Sequence, residues 1–257
     1  MNRPRRLPFR FGSAVLVGIV FFCCKVGNVY GEPFQNLGFE EAVIGPVYEN
    51  TVSASQALPY WTNSYEAAGG SAIWYDATPN TSPCVSIHDG KPGDQVWGHP
   101  YSPLVGNYSV FLAEGAGPYG DIINSWIAQT GDVPADARSL MFKTDMPQGV
   151  NRLVVSLNGT AIPMQLYSTD GTVNPYWGPV ETFIGDISAF TGQQNVDLQF
   201  TKIDQDPSDP YVFGGVDIDD IQFSPTVVPE PSTLALIVIG VLSAPLYFLL
   251  RPRALAK

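Results

Sequence analysis

Arg152-Leu153-Val154-Val155-Ser156-Leu157-Asn158-Gly159 is the stretch that decides how this chain folds. Apolar residues alternate through Leu153, Val155 and Leu157, the period of a strand with one buried face. Asn158-Gly159 then supplies two residues that readily take positive φ, as a type I′ hairpin turn requires. The reading predicts a strand over 152–157 and a returning strand over 162–167.

The same signature recurs on both sides. Ser109-Val110-Phe111-Leu112 follows Gly106-Asn107, and Ser139-Leu140-Met141-Phe142 follows a turn carrying Asp136. Val196-Asp197-Leu198-Gln199-Phe200 alternates, as does Val216-Asp217-Ile218 running into Ile221-Gln222-Phe223. One helical turn is expected over 185–190. Many short strands between Gly-, Pro- and Asn-rich turns imply an all-β fold, a single antiparallel β-sandwich of the jelly-roll kind. No repeat of fixed period is present.

The two ends differ in kind from this middle. Residues 1–10 hold Arg3, Arg5, Arg6 and Arg10 and no acid, and 11–24 are almost wholly apolar. Small residues follow near Gly27 and Gly31, the order of a secretory signal peptide. A cut after Gly31 leaves Glu32 as the new N-terminus. An uncleaved anchor is the alternative. Cys23 and Cys24 suggest lipoprotein processing less well, because Phe22 stands where a small residue is needed. Cys84 is then the single mature cysteine, so no intramolecular disulfide framework exists. It is expected as a small buried hydrophobe, with His88 four residues on as a weak sign of a thiol nucleophile.

At the other end, residues 233–250 carry no charge and are followed by Arg251-Pro252-Arg253. Eighteen residues at helical rise span about 27 Å, roughly a bilayer core. The arginines suit a cytoplasmic end. The organisation expected is a signal peptide over 1–31, a β-sandwich over 32–224, a linker over 225–228 and a transmembrane tail over 229–257.

Pro229-Glu230-Pro231, an apolar helix and an Arg-rich end resemble the PEP-CTERM sorting signal of Gram-negative bacteria. That resemblance covers residues 227–257. It implies export through the Sec translocon and recognition by an exosortase, a membrane-embedded cysteine transpeptidase. The tail would then be a transient inner-membrane anchor, removed on delivery to the cell surface or extracellular polysaccharide.

Charge supports an extracellular middle. Between Glu32 and Val228 stand 23 acidic residues against five basic ones (Lys91, Arg138, Lys143, Arg152, Lys202), a surplus of 23 − 5 = 18 negative charges. The net −11 of the whole chain conceals this, because eight of its 13 basic residues lie in the two ends. Such a surface is repelled by phosphate backbones, which argues against a nucleic-acid partner.

A second resemblance spans most of 33–224 in outline. Asn36-Leu37-Gly38-Phe39-Glu40 and Leu58-Pro59-Tyr60-Trp61 look like the "N-x-x-F-E … P-x-W" opening of galactose-binding-like jelly rolls, a superfamily with many carbohydrate-binding modules. Val216 to Phe223 is similar to their closing strand, and Ile127-Ala128-Gln129-Thr130 to an internal one. The resemblance implies that the first and last strands lie side by side. It also implies that Glu40 and Asp219 help to bind a structural Ca²⁺, with carbonyls from the Asn36 and Glu49 regions completing an oxygen shell. The other reading makes both acids solvated or capping groups at strand ends. Asp204-Gln205-Asp206-Pro207-Ser208-Asp209 has calcium-loop spacing but lacks the central Gly and final Glu, and reads better as a rigid solvated loop.

Sugar faces stack on aromatic rings. The ligand candidates in loop contexts are Trp97, Tyr101, Tyr176 and Trp177, with Tyr119 beside them; Trp61, Trp74 and Trp126 read as core. No catalytic residue is assigned: His88 and His99 lack partner spacing, and neither H-E-x-x-H nor G-x-S-x-G occurs. The expectation is therefore an exported, non-enzymatic protein, structural or carbohydrate-interacting. The alternatives are a glycan-active hydrolase, which needs two carboxylates across a cleft, and a matrix protein with no specific ligand.

Overall fold

The computed structural model describes residues 31–77, 83–91, 95–96, 99–116, 122–145, 153–174, 178–203 and 215–228. The signal peptide, the apolar tail with Pro229, Glu230 and Pro231, and the 204–209 loop lie outside them. Among the described residues no helix is long and apolar enough to cross a membrane.

The described chain is mostly strand. Its first part holds β1 (Thr51–Ser53), β2 (Thr62–Asn63), β3 (Ala72–Tyr75), β4 (Cys84–His88), β5 (Gln95–Val96) and β6 (His99–Pro100). The middle holds β7 (Ser109–Ala113), β8 (Gly115–Ala116), β9 (Ile122–Ile123), β10 (Ser125–Gly131) and β11 (Ser139–Thr144). Then come β12 (Leu153–Leu157), β13 (Thr160–Ala161), β14 (Met164–Asn174), β15 (Gly178–Asp186), β16 (Val196–Lys202) and β17 (Gly215–Ser224). Two four-residue helices, α1 (Ala54–Ala57) and α2 (Ser64–Ala67), separate the early strands, and a 3₁₀ turn at Ser188–Phe190 fills the helical turn expected over 185–190.

Eight strands form one sheet in the order β1-β3-β4-β7-β17-β11-β15-β14, and five form a second in the order β13-β12-β16-β10-β2. Alternation decides which faces meet. Val85 and Ile87, Val110 and Leu112, Val216 and Ile218, and Leu140 and Phe142 point from the larger sheet into the core. Ile127, Val155, Leu198 and Phe200 answer from the smaller one. Phe142 meets Phe200 edge-on across the layers, ring centroids 5.4 Å apart, and Trp61 lies 6.4 Å from Phe200. All described members of this core lie between Phe34 and Phe223.

Pairing is antiparallel with one correction. β3 and β4 run parallel, Trp74 opposite Ser86. A tight turn cannot join parallel neighbours, and the link here is the eight residues 76–83.

The deciding hairpin forms as read, but its return is short. Asn158 and Gly159 take φ values of +49° and +73°, and β13 pairs with β12 through Ala161 only. Ile162 still donates to Val155, at 2.8 Å. Pro163 has no N–H to continue the ladder. The chain therefore leaves, and the residues expected to finish the hairpin begin β14, the far edge of the other sheet.

Candidate functional site

The Asn36–Glu40 turn and the Pro59–Trp61 turn form one knot. Asn36 takes φ +48° and donates its side-chain amide to Pro59 O at 3.3 Å, while its Oδ1 accepts Glu41 N–H at 2.9 Å. Its carbonyl accepts both Phe39 N–H (3.2 Å) and the Trp61 indole N–H (3.1 Å). Phe39 is held at φ +59°, a left-handed conformation that a bulky residue adopts only under constraint. The constraint is visible: its fully buried ring lies 5.6 Å from Trp61.

That knot aims Glu40 at the loop before β7. Glu40 Oε1 accepts Asn107 N–H (2.8 Å) and Tyr108 N–H (3.2 Å), and Oε2 accepts the Asn107 side-chain amide (2.7 Å). Gly106, at φ +66°, makes the close approach possible, since a Cβ there would stand 2.3 Å from Glu40 Oε1. From the other side comes Asp219. An extra residue in β17, Asp220 at φ +47°, shifts the register against β11 here. Asp219 Oδ2 accepts Val105 N–H at 2.8 Å and Oδ1 accepts Asp220 N–H at 2.6 Å. Ile221 N–H also donates to Leu37 O at 3.0 Å, so the opening segment does lie against the last strand.

Glu40 and Asp219 thus grip one loop from two sides. Burial pushes the Asp219 carboxyl up to about 7, against its two backbone hydrogen bonds, and the charges of Asp220 and Glu40 push the same way. A calcium shell fits this arrangement poorly. The Asn36 carbonyl and Glu40 Oε1 each already accept two N–H donors, and such donors repel a cation from the lone pairs it needs. Among the described residues no group of three or more His, Cys, Asp or Glu could hold a metal ion.

A second polar group lies on the outer face of the larger sheet. An antiparallel sheet usually leaves that face to water, yet β4 and β7 are buried on both faces. Cys84 is buried there as expected, and the polar Ser86 and His88 on the same face are buried with it. Cys84, Tyr101, Phe111 and Ala113 make a second small core there, with Trp74 against it. Gly215 allows it, because a Cβ on Gly215 would lie 1.9 Å from the Phe111 ring.

Polar groups sit inside this cover. The Tyr101 hydroxyl is 3.0 Å from Ser109 Oγ, and the Tyr101 ring is 4.8 Å from His88. Asp145 and Asp217 are both buried, and burial pushes the Asp145 carboxyl up to about 6. Lys202, the last residue of β16, and Glu114, just after β7, form an enclosed ion pair of 2.6 Å.

The sequence candidates fall as follows. Tyr101, expected in a surface loop, is 4 % exposed, which removes its ring from any surface. Trp97, Tyr176 and Trp177, like Tyr119, lie outside the described residues. Trp61 is buried as expected, whereas Trp74 and Trp126 are only partly so. Cys84 is buried and burial pushes its thiol far up, so it stays protonated. His88 lies four residues along the same strand, about 13 Å away at strand rise, and cannot activate it. Among the described residues the exposed aromatics are Tyr48, Tyr60 and Tyr167, none of which was a ligand candidate from sequence.

Comparison of the chain with protein-family models, with curated proteins and with solved structures gives no match.

Proposed function

We propose that this chain is an exported, non-enzymatic jelly-roll protein that works at the cell surface or in extracellular polysaccharide. The observation that carries the reading is the division of charge. Eight of 13 basic residues flank apolar runs at the two ends, while residues 32–228 hold a surplus of 18 negative charges. Basic ends beside apolar segments suit insertion and sorting, and a strongly acidic middle stays soluble outside the cell. The signal peptide would engage the Sec translocon. Pro229-Glu230-Pro231 and the 233–250 span would hold the chain in the inner membrane until an exosortase removes the tail.

Its role there is structural or carbohydrate-interacting, the second through Trp97, Tyr176 and Trp177. Cys84 and His88, the thiol and imidazole that the sequence offered, are both buried and too far apart to act together. Polysaccharide pull-down with residues 32–228 tests the carbohydrate reading. Binding lost on alanine at Trp97, Tyr176 and Trp177 together supports it. Binding that survives the triple change would sink this choice of surface, and no binding leaves the purely structural role. Turnover of a polysaccharide would overturn the non-enzymatic reading in favour of a glycan hydrolase.

A further inference from the structure

The two sheets have four edge strands, and three of them are short: β1 has three residues, β2 and β13 two each. Short edges offer little to a passing strand. β14 is the exception. It has 11 residues, is the longest described strand, and among the described residues pairs only with β15. About half of its backbone N–H and C=O groups therefore face away from the sheet.

Its side chains are as unusual as its length. Leu166 is opposite Phe183, on the track that faces the core. Eight strands outrun five, and Leu166 extends beyond the cover of the smaller sheet. Tyr167 is the extra residue of a bulge between the Leu166–Phe183 and Ser168–Thr182 pairs. Leu166 and Tyr167 are each 52 % exposed, an apolar step beside an open edge.

Charge selects the occupant. Over Met164–Asn174 the one acidic residue is Asp170 and there is no basic one. Asp170 is held by Lys143 at 2.6 Å, so the strand presents almost no net charge in a domain that is otherwise strongly acidic. A basic partner would be drawn to the acidic remainder of the surface and not to this edge. A second acidic copy meets least repulsion here. Two identical antiparallel edges also match each other about a two-fold axis, the isologous arrangement.

We propose that two copies of this chain pair edge to edge through β14, antiparallel, with Leu166 and Tyr167 of each covering the other. The pairing joins two eight-stranded sheets into one and leaves the Glu40–Asp219 loop grip untouched.

Sedimentation and native mass spectrometry of residues 32–228 over a concentration series test this. A dimer is expected, and Leu166→Lys with Tyr167→Lys should weaken it at least tenfold. An unchanged far-ultraviolet circular dichroism spectrum shows that the variant folds. Tyr167→Cys should give a disulfide-linked dimer under mild oxidation, while Thr160→Cys, on the short exposed β13, should not. A monomer throughout the series overturns the proposal. So does a dimer indifferent to both lysines and uncrosslinked at 167. Loss of polysaccharide binding by a monomeric chain on changing Tyr167 would assign the step to sugar instead, and overturns it as well.

Discussion

Asp219 accepts the backbone N–H of Val105 at 2.8 Å although 114 positions separate them in the chain. Glu40 holds the next residues of the same loop from the opposite direction. The loop segment from Val105 to Tyr108 is thus held by carboxylates from both ends of the fold. Asp219→Asn replaces one acceptor oxygen with a donor that faces an N–H. The expected loss is about 1–3 kcal/mol in urea unfolding, and less for the exposed Glu40→Gln. Millimolar calcium should leave the melting temperature of the unaltered domain where it was. A clear upward shift, abolished by either substitution, would restore the calcium site.

Acidity should stabilise this domain over part of its range. Asp145 and Asp219 titrate near 6 and near 7 when folded, above the usual carboxylate value, so the folded state binds more protons than the unfolded one. Their contribution is complete below the unfolded value and is lost as pH rises through the folded ones. The melting temperature should rise on going from about pH 8 to about pH 5. Asp170 and Asp186 are shifted the other way, chiefly by the Lys143 and Ser188 hydrogen bonds, and their contribution is lost on further acidification. Asp219→Asn should flatten the upper part of the profile. A melting temperature that falls steadily from pH 8 downward would contradict the placement of both groups.

The enclosed Lys202–Glu114 pair should behave asymmetrically. Lys202→Met alone strands a buried carboxylate and should cost about 3–5 kcal/mol. Adding Glu114→Gln should recover much of that, because a neutral amide needs no counter-charge. Equal effects of the single and double changes would show that the two groups are not coupled.

Gly215 and Phe111 make a steric test of the outer face. Gly215→Ala forces the Phe111 ring to move, at a cost of about 1–3 kcal/mol. Phe111→Leu in the same chain should relieve part of it. Additive losses would mean that the ring does not lie over Gly215.

The sequence exposes this fold best where local chemistry and burial agree. Asn158-Gly159 has the backbone freedom its turn needs, and the strands over 153–157 and 196–200 have one buried face each. Pro163 was visible too, but its consequence was tertiary: the missing N–H ends a ladder, and only the packed sheets show where the chain goes next. The outer face was hidden because Ser86, His88 and Ser109 are polar. Their cover comes from Tyr101, which lies in the loop between β6 and β7 and in no strand, and strand periodicity cannot report it. Glu40 and Asp219 were legible as a pair. Their partners were not, since backbone N–H groups of a remote loop leave no mark in composition.

The central claim is that a signal peptide and a temporary tail deliver an acidic β-domain to the outside of the cell. Intact-mass measurement of the chain recovered from each cell fraction tests it most directly. The account predicts an extracellular or surface form that begins at or near Glu32 and lacks the 233–250 apolar run, and a membrane-bound precursor where the sorting enzyme is deleted. A full-length chain, Met1 to Lys257, recovered from the cytoplasm of normal cells would contradict it.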